Sequence, residues 1–276
     1  MAGPFSGVPV GEALASARIA LEGAGVDTPR LDAEVLLAHA LGIDRTRLVL
    51  ERDTPVEGPA IRAFQIAVRR RTVERVPVAY LTGTKGFRRL DLDVDPRVLI
   101  PRPDTEALVE WAVRGLPPGA RVVDVGTGSG AIALALKDER PDLEVLATDA
   151  SAEALAVARA NARRLGLAVT FAEGDLLAGL DADAVLSNPP YVETGARLAP
   201  EITRHEPPGA LFAGADGLDV YRRLIPAIVA SGARLAGLEV GAGQAAAVRA
   251  LFTAAWETDV GRDLAGTERV VSAWRR

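Results

Sequence analysis

The chain has 276 residues, with 32 Lys+Arg against 37 Asp+Glu for a formal charge of −5, and is 49% hydrophobic and 25% charged. At about 150 residues per domain, that is one large domain or two modest ones with an ordinary soluble composition. No cysteine is present and His39 and His205 are the only histidines, which excludes disulfides and thiolate sites and argues against a His-rich centre, so no metal is expected.

An acidic balance disfavours non-specific duplex binding, which relies on Lys and Arg neutralising phosphates. No window reaches about 18 uninterrupted apolar residues, so no membrane span is expected. The opening, from Met1 to Leu14, lacks a charged region followed by an apolar one, so no secretory leader is expected either. A cytoplasmic enzyme that borrows its chemistry from a cofactor is the expectation.

Residues 1–78 read as a small helical domain. Leu14, Ala17, Ile19 and Leu21 recur at helical spacing, as do Leu31, Val35, Leu36 and Leu37, then Ile61, Phe64, Ile66 and Val68. Gly23, Gly25, Pro29, Gly42, Pro55 and Pro59 punctuate them. No reactive cluster stands out, which assigns the domain to substrate recognition or to covering a catalytic domain; His39 reads as a core or helix-face residue. Arg69-Arg70-Arg71 with Arg75 reads as a solvated helix face, or as a surface for an acidic protein partner.

Residues 79–100 read as a linking β-hairpin, with Tyr80-Leu81-Thr82-Gly83 and the alternating Arg89–Val94 flanking a Gly/Lys turn. From 101 to 276 strand and helix alternate. Strands are expected at 121–125, 144–148, 169–172, 184–187 and 235–240, with a closing antiparallel pair near 257–261 and 268–274. The pattern argues for an α/β, doubly wound parallel sheet.

The sharpest local signal is Asp124-Val125-Gly126-Thr127-Gly128-Ser129-Gly130 between a strand and a helix. Such a turn sets bare backbone N–H groups beside a ligand, with no Cβ to hold it off. Asp149, at the end of the next strand, is placed to accept ribose hydroxyls. Gly126-x-Gly128-x-x-Ala131 also satisfies the dinucleotide fingerprint. Asp124 separates the two readings, because a carboxylate there repels a pyrophosphate and attracts an ammonium. S-adenosylmethionine carries an ammonium and a ribose but no phosphate, and Asp175 is placed to meet its adenine amino group.

After the fourth strand comes Asn188-Pro189-Pro190-Tyr191. Two prolines fix the backbone, so the Asn188 side-chain oxygen and the Pro189 carbonyl can both accept from one planar amino group while Tyr191 stacks on it. An amide nitrogen is a poor nucleophile because its lone pair is delocalised. Gripping both protons favours pyramidalisation, aims the lone pair and absorbs developing positive charge.

The sequence resembles the release-factor glutamine N5-methyltransferase family over nearly its whole length. The resemblance is carried by Tyr80-Leu81-x-Gly83-x-x-x-Phe87, Pro101–Glu106, Asp124–Gly130, Asn188–Tyr191, His205-Glu206-Pro207, Asp216–Asp219 with Tyr221-Arg222, Glu239–Gly241 with Gln244, and Asp263–Gly266. It implies a Rossmann-like class I methyltransferase domain behind a helical N-terminal domain, with S-adenosylmethionine as cofactor. The implied substrate is the glutamine of the Gly-Gly-Gln loop in peptide chain release factors. By position, Gly126–Gly130, Asp149, Asp175 and Asn188 meet the cofactor. Asn188–Tyr191 hold the glutamine amide, and Phe87 and Arg102–Glu106 lie near the pocket. Leu176 stands where some members carry a tryptophan beside the adenine.

Asp104 and Glu106 also fit helix capping, and His205-Glu206 either touch substrate or tie down a loop. Two rivals share features of the chain: an adenine-N6 nucleic-acid methyltransferase and a non-catalytic binding module.

Overall fold

The computed structural model describes residues 7–177, 179–263 and 265–276. It divides into two units, Met1–Gly83 with Leu198–His205, and Thr84–Arg197 with Glu206–Arg276. The first residues of the helical domain (1–6) and Leu264 of the Asp263–Gly266 motif lie outside the described residues.

In the first unit β1 (Val8–Pro9) pairs antiparallel with β2 (Pro55–Val56). Around them lie α1 (Val10–Gly23), α2 (Pro29–Leu41), α3 (Arg45–Leu50), α4 (Gly58–Arg69) and α5 (Val78–Thr82). Pro29 opens α2 and Gly42, at φ +66°, closes it. Leu21, Leu36, Leu37, Leu48 and Phe64 form the core. Ile19 and Ile66 are exposed, because a step of two residues from Ala17 and from Phe64 carries a helical side chain to the opposite face. Leu31, in the first turn of α2, is exposed too.

The arginine run is a solvated face only in part. Arg71 is buried, with Nε 2.8 Å from Asp32 and a terminal nitrogen 3.0 Å from Glu201. Arg75 reaches Glu201 at 2.8 Å and the Ala24 carbonyl at 2.7 Å. Helical spacing alternates the run between faces, so Arg69 and Arg70 stay in solvent while Arg71 is drawn to buried acids.

Tyr80–Thr82 are helical, not a strand. Pro77 pre-sets the start of α5 and Gly83, at φ +75°, ends it. The hairpin itself belongs to the second unit and spans β3 (Thr84–Phe87) and β4 (Leu90–Asp93). Its turn is Arg88-Arg89, not Lys85-Gly86, since Phe87, Leu90 and Leu92 must all face inward. Arg88 sits at φ +52° and is held by Glu139 at 2.7 Å and Glu110 at 2.8 Å.

The second unit continues with α6 (Glu106–Gly115), β5 (Arg121–Val125), α7 (Ala131–Glu139), β6 (Glu144–Asp149), α8 (Ala152–Leu165), β7 (Thr170–Glu173) and β8 (Ala184–Ser187). Helix α9 (Pro200–His205) is counted with the first unit. Then come α10 (Asp219–Ala230), β9 (Leu235–Glu239), α11 (Ala245–Arg249), β10 (Trp256–Arg262) and β11 (Glu268–Arg275).

The central sheet runs β10-β11-β9-β8-β5-β6-β7. Strands β5 to β9 are mutually parallel, and β10 and β11 are antiparallel closers. Alternate residues feed opposite faces: Val122, Ala184 and Leu186 join one core cluster, Val123, Val125 and Val185 the other. With helices on both sides this is the doubly wound, Rossmann-like arrangement. Among the described residues no helix is long and apolar enough to cross a membrane.

Candidate active site

A cavity of about 420 Å³ opens beyond the carboxyl ends of the parallel strands, lined among others by Gly126, Gly128, Asp149, Asp175, Leu176 and Asn188–Pro190. Ligands of open α/β sheets occupy this crevice.

The glycine loop after β5 is built on left-handed backbone: Gly126 has φ +72°, Gly128 +56° and Gly130 +88°. The Gly126 and Thr127 amides both donate to the Thr148 carbonyl at 2.9 Å. A Cβ at Gly126 or Gly128 would meet no atom, whereas one at Gly130 would lie 2.8 Å from Leu134. The first two glycines therefore present bare backbone to the cavity and the third permits close packing of α7. Asp149 accepts from the Gly128 amide and the Ser151 amide, each at 2.9 Å, so one carboxylate organises the cavity floor.

Asp124 lies behind the loop rather than on the cavity wall. Its Oδ2 accepts from the Thr127 hydroxyl at 2.6 Å and the Ala133 amide at 3.2 Å, and its Oδ1 has no partner among the described residues. Burial, with Asp149 nearby adding to it, pushes this carboxyl up to about 7. Thr127 and Ser129 are buried as well, and Gly130 also stands behind the wall. The Ser129 carbonyl accepts from Asn161 Nδ2 at 3.0 Å, while Asn161 Oδ1 accepts from the Asp93 amide at 2.8 Å. Asn161 thus ties the glycine loop to the hairpin. Asp175 is exposed and ion-paired with Arg223. Leu176, at φ +55°, lines the wall, its carbonyl accepting from Thr148 at 3.3 Å.

The Asn188 turn is anchored at both ends. Ser187 Oγ donates to the Val125 carbonyl at 2.7 Å, and Asn188 Nδ2 donates to Thr105 Oγ1 at 3.0 Å. The latter leaves Asn188 Oδ1, with the Pro189 carbonyl, as the acceptors the turn can offer. Tyr191 does not line the cavity; its hydroxyl donates to Glu239 at 3.4 Å and its carbonyl accepts from Gln244 at 3.0 Å. Burial and Glu239 push the Tyr191 phenol up to about 12. A Cβ on Gly217 would come 2.2 Å from the Tyr191 carbonyl, and one on Gly241 3.1 Å from its ring. The 216–219 and 239–244 motifs are thus a cage for Tyr191.

Other candidates stand apart. Phe87 is 1% exposed and packs in the sheet core, because its position on β3 faces inward, away from the cavity. Arg102 pairs with Glu206 at 2.7 Å and Asp104 with Arg269 at 2.8 Å. Glu106 accepts from the Arg88 amide at 3.3 Å. His205 Nε2 bonds the Glu74 carbonyl at 2.8 Å, which ties down a loop. Sequence reasoning placed Thr105 near the pocket only as part of Arg102–Glu106, counted Glu239 only as part of a family motif, and passed over Asn161. The lone acid ending the apolar strand β9 was the visible signal for Glu239.

A seven-stranded sheet of this order, with an acid-flanked glycine loop and an Asn-Pro-Pro-Tyr turn at neighbouring strand ends, defines a class I methyltransferase. Residues 12–83 match the family PrmC N-terminal domain and residues 103–205 the family Methyltransferase small domain. A methyltransferase crystal structure from Pyrococcus furiosus shares the fold, at 18% identity and a TM-score of 0.52, covering 67% of this chain and 88% of that one. The chain is 45% identical over 273 residues to the release factor glutamine methyltransferase of Deinococcus radiodurans, covering 95% of this chain and 97% of that one. It is 47% identical over 219 residues to the Mycolicibacterium smegmatis protein of the same name, covering 77% of each. The chain belongs to the release factor glutamine methyltransferase family.

Proposed function

We propose that this chain transfers a methyl group from S-adenosylmethionine to the side-chain amide nitrogen of the glutamine in the Gly-Gly-Gln loop of peptide chain release factors. Release factors are its partners and the cytoplasm its setting. The net charge of −5 favours a protein partner over nucleic acid.

The cavity suits such a cofactor in size and donor set. It has the volume of a small-molecule site, backbone at Gly126 and Gly128 with no side chain to hold a ligand off, and Asp149 for ribose hydroxyls. Asp175 and Leu176 border the region for the base, and Asp124, buried behind the loop with Oδ1 unpartnered among the described residues, offers an ammonium a carboxylate once it is ionised. When bound, S-adenosylmethionine supplies an already activated methyl, so no strong base is needed.

The chain's own contribution is to hold the nucleophile. Asn188 Oδ1 and the Pro189 carbonyl accept hydrogen bonds from the two N–H groups of the glutamine amide, aim its lone pair and stabilise positive charge as it develops on nitrogen, and one of the two protons is released to water once the nitrogen carries the methyl. Tyr191, held from behind by Glu239 and Gln244, fixes the end of the turn.

The observation that carries this reading is the Asn188 Nδ2 bond to Thr105, which reserves the carboxamide oxygen for an amino group. Labelled S-adenosylmethionine, incubated with intact release factor and with a variant lacking the loop glutamine, tests it. Label must appear on the first and not on the second.

A further inference from the structure

Part of the cavity wall comes from two stretches of chain that belong to no strand. Arg97, Val98 and Leu99 follow the hairpin, and Pro207, Gly209 and Ala210 follow α9. Each bends on itself. The Val98 amide donates to the Asp95 carbonyl at 3.1 Å, and the Ala210 amide to the Pro207 carbonyl at 3.0 Å. Local turns of this kind set a bend but do not fix where one stretch stands against the other.

Glu206 makes that link. Its side chain is 1% exposed, and a carboxylate so deeply buried is costly unless it is paired and hydrogen-bonded. Here each oxygen has its own donor. Oε2 accepts from the Ile100 amide at 3.2 Å, and Oε1 accepts from a terminal nitrogen of Arg102 at 2.7 Å. Leu99 is the chain neighbour of Ile100, and Pro207 is the chain neighbour of Glu206. The bond between Ile100 and Glu206 therefore joins the two wall stretches at the point where each enters the cavity lining.

We propose that Glu206 is a positioning residue for the methyl donor: its buried carboxylate, gripped by the Ile100 amide and Arg102, holds the Arg97–Leu99 stretch against the Pro207–Ala210 stretch and so keeps the wall that S-adenosylmethionine packs on. The role rests on the cofactor use proposed above. Val98, Leu99, Pro207 and Ala210 make this part of the wall largely apolar, which suits a ligand that carries a flat base.

The chemistry of the link asks for a carboxylate. Both partners are donors, and an ionised carboxylate only accepts. A carboxamide in its place would turn an NH2 group toward one of the two donors, so glutamine keeps one link at most. The acceptor clamp is anchored by other bonds, from Ser187 to the Val125 carbonyl and from Asn188 to Thr105. Loss of Glu206 is thus expected to fall on the cofactor and to spare the acceptor.

The test is calorimetric affinity for S-adenosylmethionine and for S-adenosylhomocysteine, with kcat and KM on release factor and urea midpoints. It uses the full chain, E206Q, R102A and the double variant. E206Q should bind both molecules about tenfold or more weakly, the scale of a lost hydrogen bond to a charged group. Its kcat at saturating cofactor should fall no more than about threefold, and its KM for release factor should stay within about twofold. R102A, which keeps the Ile100 link, should weaken cofactor binding by a smaller factor, about threefold. The double variant should bind within about twofold of E206Q, because both changes act on one carboxylate. An E206Q chain with a lowered urea midpoint and the parent affinity overturns the proposal, since Glu206 would then hold the fold alone. So does a double variant in which the two losses multiply. If E206Q does not fold, R102A decides, and unchanged cofactor affinity there rejects the role. An unaltered chain that binds neither molecule rejects the cofactor reading itself, and the role with it.

Discussion

Asn188 Nδ2 donates to Thr105 Oγ1 at 3.0 Å, and this bond leaves Oδ1 as the uncommitted end of the Asn188 carboxamide. The expected consequence is separable binding and turnover. N188A should keep S-adenosylmethionine affinity within a few-fold and lose about 10²–10³ in kcat, the typical cost of removing one preorganised transition-state partner. Single-turnover methylation with parallel calorimetry checks both halves.

Asp149 bridges the Gly128 and Ser151 amides, each at 2.9 Å. D149A should weaken S-adenosylmethionine binding by about 10- to 100-fold, the scale of a lost charged hydrogen bond. At saturating cofactor kcat should fall much less. Calorimetric titration is the check.

Gly217, at φ +72°, abuts the Tyr191 carbonyl so closely that an added Cβ would stand 2.2 Å from it. G217A should displace the turn, cost about 1–3 kcal/mol of stability for the backbone alone, and reduce turnover about tenfold or more. Urea unfolding and kcat on the same preparation measure the two effects.

Arg71 illustrates why charge runs mislead. Its guanidinium joins Asp32 and Glu201 while Arg69 stays in solvent. R71A should destabilise the helical unit by about 3–5 kcal/mol, because it strands buried carboxylates. R69A should change stability by no more than about 0.5 kcal/mol. Urea unfolding followed by circular dichroism separates them.

The Asp124 carboxyl is raised by burial to about 7, so between its unfolded pKa of 3.8 and about 7 the folded chain holds the extra proton. That contribution is favourable to folding in acid and is lost as pH rises through this window. The stability difference between the unaltered chain and D124N should fall across the window and level off above it, as read from urea midpoints at each pH.

Much of the catalytic domain was legible because its signals are local. Strands β5 and β8 are short valine-bearing runs closed by a glycine loop and a proline turn, so strand, turn and crevice follow from neighbouring residues. Where neighbours in space decide, the sequence misled. Lys85-Gly86 resembles a turn but lies within β3, since core burial of Phe87, Leu90 and Leu92 moves the bend to Arg88-Arg89. Phe87 shares a motif with site residues yet packs in the core. The contact of Glu239 with Tyr191 joins segments far apart in the chain, and no local pattern displays it.

The central claim is that a glutamine carboxamide is the methyl acceptor. Fragment mass spectrometry of release factor after incubation with the chain and S-adenosylmethionine tests it most directly. One added methyl group on the side-chain amide of the Gly-Gly-Gln glutamine is the predicted result. A methyl on any other residue, or a release factor left unmodified while nucleic-acid adenine gains one, would contradict it.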